Sequence, residues 1–379
     1  MENNRVEYLD SLRGLASISV ILSHFVLAYR LDIQFKALFY SPLHLFFDGF
    51  AAVTFFFVLS GYVLTLSLDR KKEIAIGDFY LKRLFRIMPA YIVTLIISLI
   101  CYSYYSVIRT NPESSEWINS FWSKPQDLNS FLRQLIFLRT PGHGELVCQN
   151  WTLNEEMKFS FLIPFLYFIG KKSSSLLFLT FNIVLAVLFN ASVFVFHFSM
   201  GIYLALNQDR ILTFFKKLKA QYAILIGCLT VLLYTYRYTI PMYYYYHFRK
   251  LNFLNNDDMI WVFTGLGSFL ILLYCFSNLK IQSILNHSFF RFIGKLSYSI
   301  YLLHILVLIF LVPMFIHQLN NWGLSNKYLV WLSALGVLLI ITFLLAYILT
   351  TLIEIPFVKL GSKLIKRYNV RKNIKSLVS

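Results

Sequence analysis

The chain has 379 residues, 58% hydrophobic and only 14% charged, with a mean hydropathy of +0.63. Soluble domains run near half apolar and a quarter charged, so this balance excludes an ordinary soluble domain. The net charge of +17 would suggest nucleic acid in a soluble protein, but among long apolar runs it reads as the basic loops of a membrane protein, and no nucleic-acid partner is expected.

Crossing the hydrocarbon core takes about 20 apolar residues. The first such run covers 8–28. It is interrupted by Arg13 and followed by no small-residue cleavage site, so it reads as a membrane helix and not a cleaved leader. Further runs follow at 43–66, 87–107 and 151–169, then a weak pair at 175–189 and 192–206. The remaining ones cover 222–239, 259–277, 292–316 and 328–353. The pattern predicts an all-α polytopic membrane protein of about ten transmembrane helices. A membrane domain would occupy 1–356 and a short basic cytoplasmic tail 357–379, lying against anionic lipid headgroups.

Loop charge supplies the orientation. One alternating set of loops, which includes both termini, carries 22 Lys and Arg; the other carries nine. Basic residues stay on the cytoplasmic side, so both termini are expected inside. The largest outer loop, 108–150, is rich in Pro and Gly and looks irregular. Of the four cysteines, Cys101, Cys228 and Cys275 fall in apolar runs and only Cys148 in a loop, so no disulfide framework is implied. No Gly-rich phosphate loop, G-x-S-x-G or H-E-x-x-H occurs, and no His/Cys spacing suits a metal.

Charges inside membrane segments cost free energy and call for a partner or a function. Arg13 and His24 lie three helical turns apart on one face of the first span, about 16 Å along its axis. Arg13 could snorkel or pair with Asp10, and His24 could bond a neighbour. Alternatively, Glu156, at the outer start of the fourth span, matches His24 in expected depth and could fix its tautomer. Lys82, Arg83 and Arg86 precede the third span, either as topology signals or as a phosphate site. His304 lies inside the ninth span, after Tyr298 and Tyr301. Asp48, Glu354 and Lys295 lie near span ends and read as interfacial. The run Tyr243–Tyr246 reads as an outer aromatic belt.

Six blocks, in chain order, resemble the acyltransferase-3 family of integral membrane acyltransferases. Tyr8 to Ala16 with Arg13 and His24 looks like its Arg/Lys-x10-His signature. Phe56-Phe57-Val58-Leu59-Ser60-Gly61-Tyr62 is similar to its second-helix block. Arg83, Arg86, Ile87, Pro89 and Tyr91 resemble its basic block. Trp151-Thr152-Leu153 with Glu156, Phe159 and Pro164 resembles its Trp-Ser-Leu…Glu block. Gly294, Leu296 to Tyr301 and His304 look like a late block, and Glu354-Ile355-Pro356-Phe357 resembles the closing Glu-x-Pro-Phe. Thr54 and Ser160 stand where many relatives carry Asp and Tyr.

The resemblance implies transfer of an acyl group, usually acetyl, from cytoplasmic acyl-CoA to a hydroxyl of a bacterial envelope glycan, such as O-antigen, capsule, exopolysaccharide or peptidoglycan. The protein would be a standalone member, without a fused esterase-like domain, in the bacterial inner membrane. His24 would be the general base or nucleophile, oriented by Glu156. Arg13, Lys82, Arg83 and Arg86 would hold acyl-CoA (acetyl-CoA), with Asp10, Trp151, Tyr298 and His304 as further candidates and no metal. A transporter or flippase for a lipid-linked sugar or small molecule is the alternative; the absence of a visible internal repeat weighs against it.

Overall fold

A computed structural model describes residues 7–29, 41–69, 76–105, 114–137, 145–174, 177–178, 180–182, 184, 193–239 and 257–378. Every regular element among them is helical. In a bilayer a helix satisfies its own backbone groups, which an open strand cannot do.

Helix α1 spans Glu7–Ala28. A 3-10 turn at Pro42–Phe46 leads into α2, Gly49–Asp69. Next come α3, Ile76–Tyr105, and two short helices, α4 (Glu116–Asn119) and α5 (Leu128–Leu135). Helices α6 (Asn150–Lys172), α7 (Phe194–Leu206), α8 (Gln208–Lys216) and α9 (Ala220–Tyr234) follow. The chain continues through α10 (Asp257–Ser277), α11 (Leu279–Leu285), α12 (Ser288–Asn321) and α13 (Lys327–Leu349). A π-helical turn, Thr350–Glu354, joins α13 to α14, Ile355–Val378.

Among the described residues six helices are long and apolar enough to cross a bilayer: α1, α2, α3, α10, α12 and the continuous stretch Lys327–Val370. The pair α8 and α9, bent by 119°, makes up to seven. The protein is therefore built as a multi-pass membrane protein. Of the other expected spans, α6 is long but carries Glu155, Glu156 and Lys158, α7 has 13 residues, and most of 175–189 lies outside the described residues, as does Tyr243–Tyr246.

Two boundaries differ from expectation. Helix α3 starts at Ile76, so Lys82, Arg83 and Arg86 lie within it and not in a loop. Lys and Arg are good helix formers, so the end of the apolar run is not the end of the helix. At the other end, helical structure continues past Glu354 through α14. Pro356 lacks an N–H and its ring clashes with the carbonyl four residues back. The π turn absorbs this, with the Ile355 N–H reaching Thr350 O five residues back.

The described chain divides into two compact units. The first holds 1–26, 30–71 and 155–295; the second holds 27–29, 72–154 and 296–379. In the first, α2 and α7 cross at glycines: a Cβ on Gly61 would overlap Phe198 O, and one on Gly201 would overlap Val58 O. Also in the first unit, a Cβ on Gly14 of α1 would lie 2.7 Å from Gly294 N of α12. Small residues at such crossings let helices pack closely where lipid offers no hydrophobic drive. In the second unit α14 runs along α3, with Gly361 against Phe85 and Asn369 Nδ2 donating to Asp78 Oδ2 at 2.9 Å.

Candidate active site

Within the first unit, α1 carries Asp10, Arg13 and His24 on an unbroken helix. Asp10 is buried and Arg13 half-buried, and Arg13 Nη1 donates to Asp10 Oδ1 at 3.2 Å. That pair is one turn apart, as the sequence allowed, so part of the cost of burying each charge is offset locally. Ser11 Oγ donates to Leu285 O at 2.6 Å, which ties the same turn to α11. His24 is half-buried near the far end of α1. Glu156 belongs to the same unit and is half-buried on α6. Its neighbour Glu155 is committed to Lys158, 2.9 Å away.

At the His24 level of α1 the start of α2 makes close contact. A Cβ on Gly49 would lie 2.8 Å from both Cβ and Oγ of Ser23. Just before Gly49 stands Asp48, wholly buried within the protein. Its Oδ1 accepts from Ala51 N–H at 2.9 Å, capping α2. Its Oδ2 lies 3.7 Å from Nε2 of the equally buried His44. Burial pushes the Asp48 carboxyl up to about 7, against the pull of the Ala51 and Phe50 N–H groups and Arg237. Burial, helped by Arg237, pushes the His44 imidazole down to about 3. Thr54 donates its hydroxyl to Ala51 O and lies 2.8 Å from Ser268 Oγ.

The second unit holds the basic block and the late block. On α3, Lys82 is exposed, Arg83 buried and Arg86 half-buried. Tyr298 donates its hydroxyl to Ile87 O at 2.8 Å, which fixes α12 beside this block. Gln149 Nε2 donates to Tyr301 O and Leu302 O, and Thr152 Oγ1 lies 2.6 Å from the Tyr301 hydroxyl. Trp151, between them, is half-buried. His304 is buried, and its Nδ1 lies 2.8 Å from Tyr301 O. A carbonyl only accepts, so Nδ1 carries the proton and Nε2 is the basic nitrogen of the neutral ring.

Sequence reasoning did not find the network around Gln134. The buried Gln134 side chain accepts from Leu146 N–H at 2.7 Å through Oε1, and the Gln134 backbone carbonyl accepts from the Tyr91 hydroxyl at 2.7 Å. Glu354, expected at an interface, is buried and accepts from Ser299 Oγ at 3.3 Å, while Thr350 donates to Ser299. Lys295 is exposed. All four cysteines are free, and burial pushes the Cys148 thiol well above its usual range, which makes it a poor nucleophile. Among the described residues no three His, Cys, Asp or Glu side chains group as metal ligands.

Comparison with known proteins adds family and relatives. A family model described as an acyltransferase domain matches residues 6–351. Curated relatives in Staphylococcus aureus strains COL, MSSA476 and MRSA252, each named "Putative O-acetyltransferase", are 24% identical over 394 aligned positions. The alignment covers 95% of this chain and 59% of each relative, so the chain spans about three-fifths of their length. No solved structure matches. With its family blocks carried on α1, α2, α3, α6, α12 and the π turn, and with nearly its whole length matched, the chain belongs to the acyltransferase-3 family.

Proposed function

We propose that the protein is a membrane O-acyltransferase that moves an acyl group, most plausibly acetyl, from cytoplasmic acyl-CoA to a hydroxyl of a bacterial envelope glycan. The observation that carries this reading is the Arg13…His24 pair on one continuous helix of a chain matched to the acyltransferase domain from residue 6 to 351. The names of the relatives support an O-linked acceptor.

The donor is a thioester on a body rich in phosphate. Arg and Lys recognise phosphate oxygens through charge-assisted bonds, and Lys82, Arg83 and Arg86 supply three cations within five residues of α3. Arg13 is assigned to the same ligand. His24 takes the proton of the acceptor hydroxyl as its oxygen attacks the thioester carbonyl. The C–S bond then breaks and the thiolate recovers that proton from the imidazolium. A route through a transient acyl-imidazole uses the same residues. Glu156, in the same unit, stabilises the charged imidazole and fixes its tautomer. Asp10 holds Arg13 in place, and Trp151, Tyr298 and His304 stand as further candidates.

This reading places the protein in the inner membrane with ten spans and both termini in the cytoplasm, as the 22-to-nine loop asymmetry suggests. Reporter fusions at 124 and 375 should then report opposite sides, with 375 inside; the same side for both would refute the span count. Activity is tested by glycan NMR on envelopes with and without the protein, which should differ by one O-acyl group. Identical spectra, together with no acyl-CoA turnover by purified protein, would overturn the assignment.

A further inference from the structure

Arg237 is an exposed cation held by rings. It lies on the helical turn 236–239 that follows α9, with its guanidinium 4.5 Å from the centre of the Phe50 ring and 5.7 Å from that of Tyr238. Among the described residues it makes no hydrogen bond and no ion pair, not even with Asp257 or Asp258 at the start of α10. Asp48 is within its electrostatic reach, but that carboxyl is wholly buried and spends Oδ1 on the Ala51 N–H. Stacking uses the face of a guanidinium and leaves its in-plane N–H donors for another partner.

The rings extend beyond the cation. Phe50 stacks on Trp261 of α10, with centroids 3.6 Å apart, and Trp261 meets Phe194 of α7 edge-on at 4.8 Å. Phe50, Tyr238 and Trp261 are each half-buried, so part of this aromatic surface is open beside Arg237. Phe50 follows Gly49, whose backbone meets Ser23 of α1. Ser23 is ten residues past Arg13, about 15 Å along the helix. The platform therefore stands at the His24 end of α1, away from the Arg13 end to which the donor is assigned.

We propose that Arg237, Phe50, Tyr238 and Trp261 form a subsite for the acceptor, and that this acceptor is an acidic glycan. The rings pack against the C–H face of a sugar, and the planar guanidinium pairs with its carboxylate. This rests on the reading of the protein as a glycan O-acyltransferase. All four residues belong to the first unit, as His24 does.

The test measures binding of oligogalacturonate and of its methyl ester to the full chain in nanodiscs of neutral lipid. The wild type should bind the acid about tenfold tighter than the ester, the worth of one charge-assisted bond. Arg237→Gln should bind both alike and keep wild-type acyl-CoA affinity, and Trp261→Ala should weaken both to a similar degree. Arg237→Lys keeps the charge without the fork, so its preference for the acid should shrink; it serves where Arg237→Gln does not fold. Equal affinity of the wild type for acid and ester, or binding of neither, would overturn the proposal without any variant. So would a preference that persists in Arg237→Gln. A loss of acyl-CoA affinity in that variant would move Arg237 to the donor site. Binding to phosphatidylglycerol nanodiscs that depends on Arg237, with no preference between the sugars, would make it a lipid anchor. Acyl-CoA turnover in the same preparation tests the enzyme reading separately: its absence beside an intact acid preference would fail that reading and leave the subsite standing.

Discussion

In the second unit, buried polar groups answer one another. Tyr91 bonds to Gln134 and Asn150, Gln149 and Thr152 bond to Tyr301, and His304 has its Nδ1 committed to a backbone carbonyl. Among the described residues of this unit Asn150 Nδ2 and Thr342 Oγ1 are buried without a hydrogen-bond partner. In the first unit, by contrast, helix backbones meet at glycines, and Asp48 Oδ2 and His197 Nδ1 too are buried without a hydrogen-bond partner among the described residues. A satisfied network rigidifies; an unsatisfied buried group asks for an explanation. The two units differ in that polar bonds run across helices in the second and backbones cross closely in the first; on the proposed function, His24 of the first unit gains and loses the proton.

Breaking the glycine crossing should have the largest effect. Gly201→Val places branched carbons where even a Cβ overlaps Val58 O. No monodisperse folded protein should be recovered, as read by size-exclusion in detergent; a wild-type yield would disprove the close crossing of α2 and α7. Next, Arg13→Ala and Arg86→Ala should each weaken acyl-CoA binding at least tenfold, since a charge-assisted bond contributes about 1.5–3 kcal/mol. Unchanged affinity in folded variants would return both residues to topology and snorkelling. The smallest effect is expected from Thr152→Val, which removes one hydroxyl from the bracing network. Hydrogen bonds between membrane helices average about 0.6 kcal/mol and reach about 1.7. The midpoint should fall by a few degrees with acyl-CoA affinity unchanged; a loss of transfer without a loss of stability would move Thr152 into the chemistry.

Much of this was legible in the sequence. The apolar runs gave the all-helical class and the six, or up to seven, long apolar helices of the described residues, not ten, and α1, with Arg13 and His24 on one face, followed from period and spacing alone. Two kinds of information were not legible. Helix ends were misplaced at α3 because cationic residues end an apolar run without ending a helix. The burial of Asp48 and Glu354 within the protein was not legible either, because it depends on which helix covers them, and a single strand of sequence does not state its neighbours. The network around Gln134 was invisible for the same reason: its partners Leu146 and Tyr91 lie 12 and 43 positions away in the chain.

The central claim is that His24 is the base, and its most direct test is acyl transfer by His24→Gln. Glutamine keeps hydrogen bonding but cannot take a proton near neutral pH. General base catalysis is worth about 100- to 10,000-fold, so transfer should fall at least a hundredfold while the variant inserts, folds and binds acyl-CoA as the wild type does. Glu156→Gln should cost less, because it acts through the imidazole. Transfer by His24→Gln above about a tenth of the wild-type rate would contradict the account, and the base would then have to be sought at His304, whose Nε2 is the basic nitrogen.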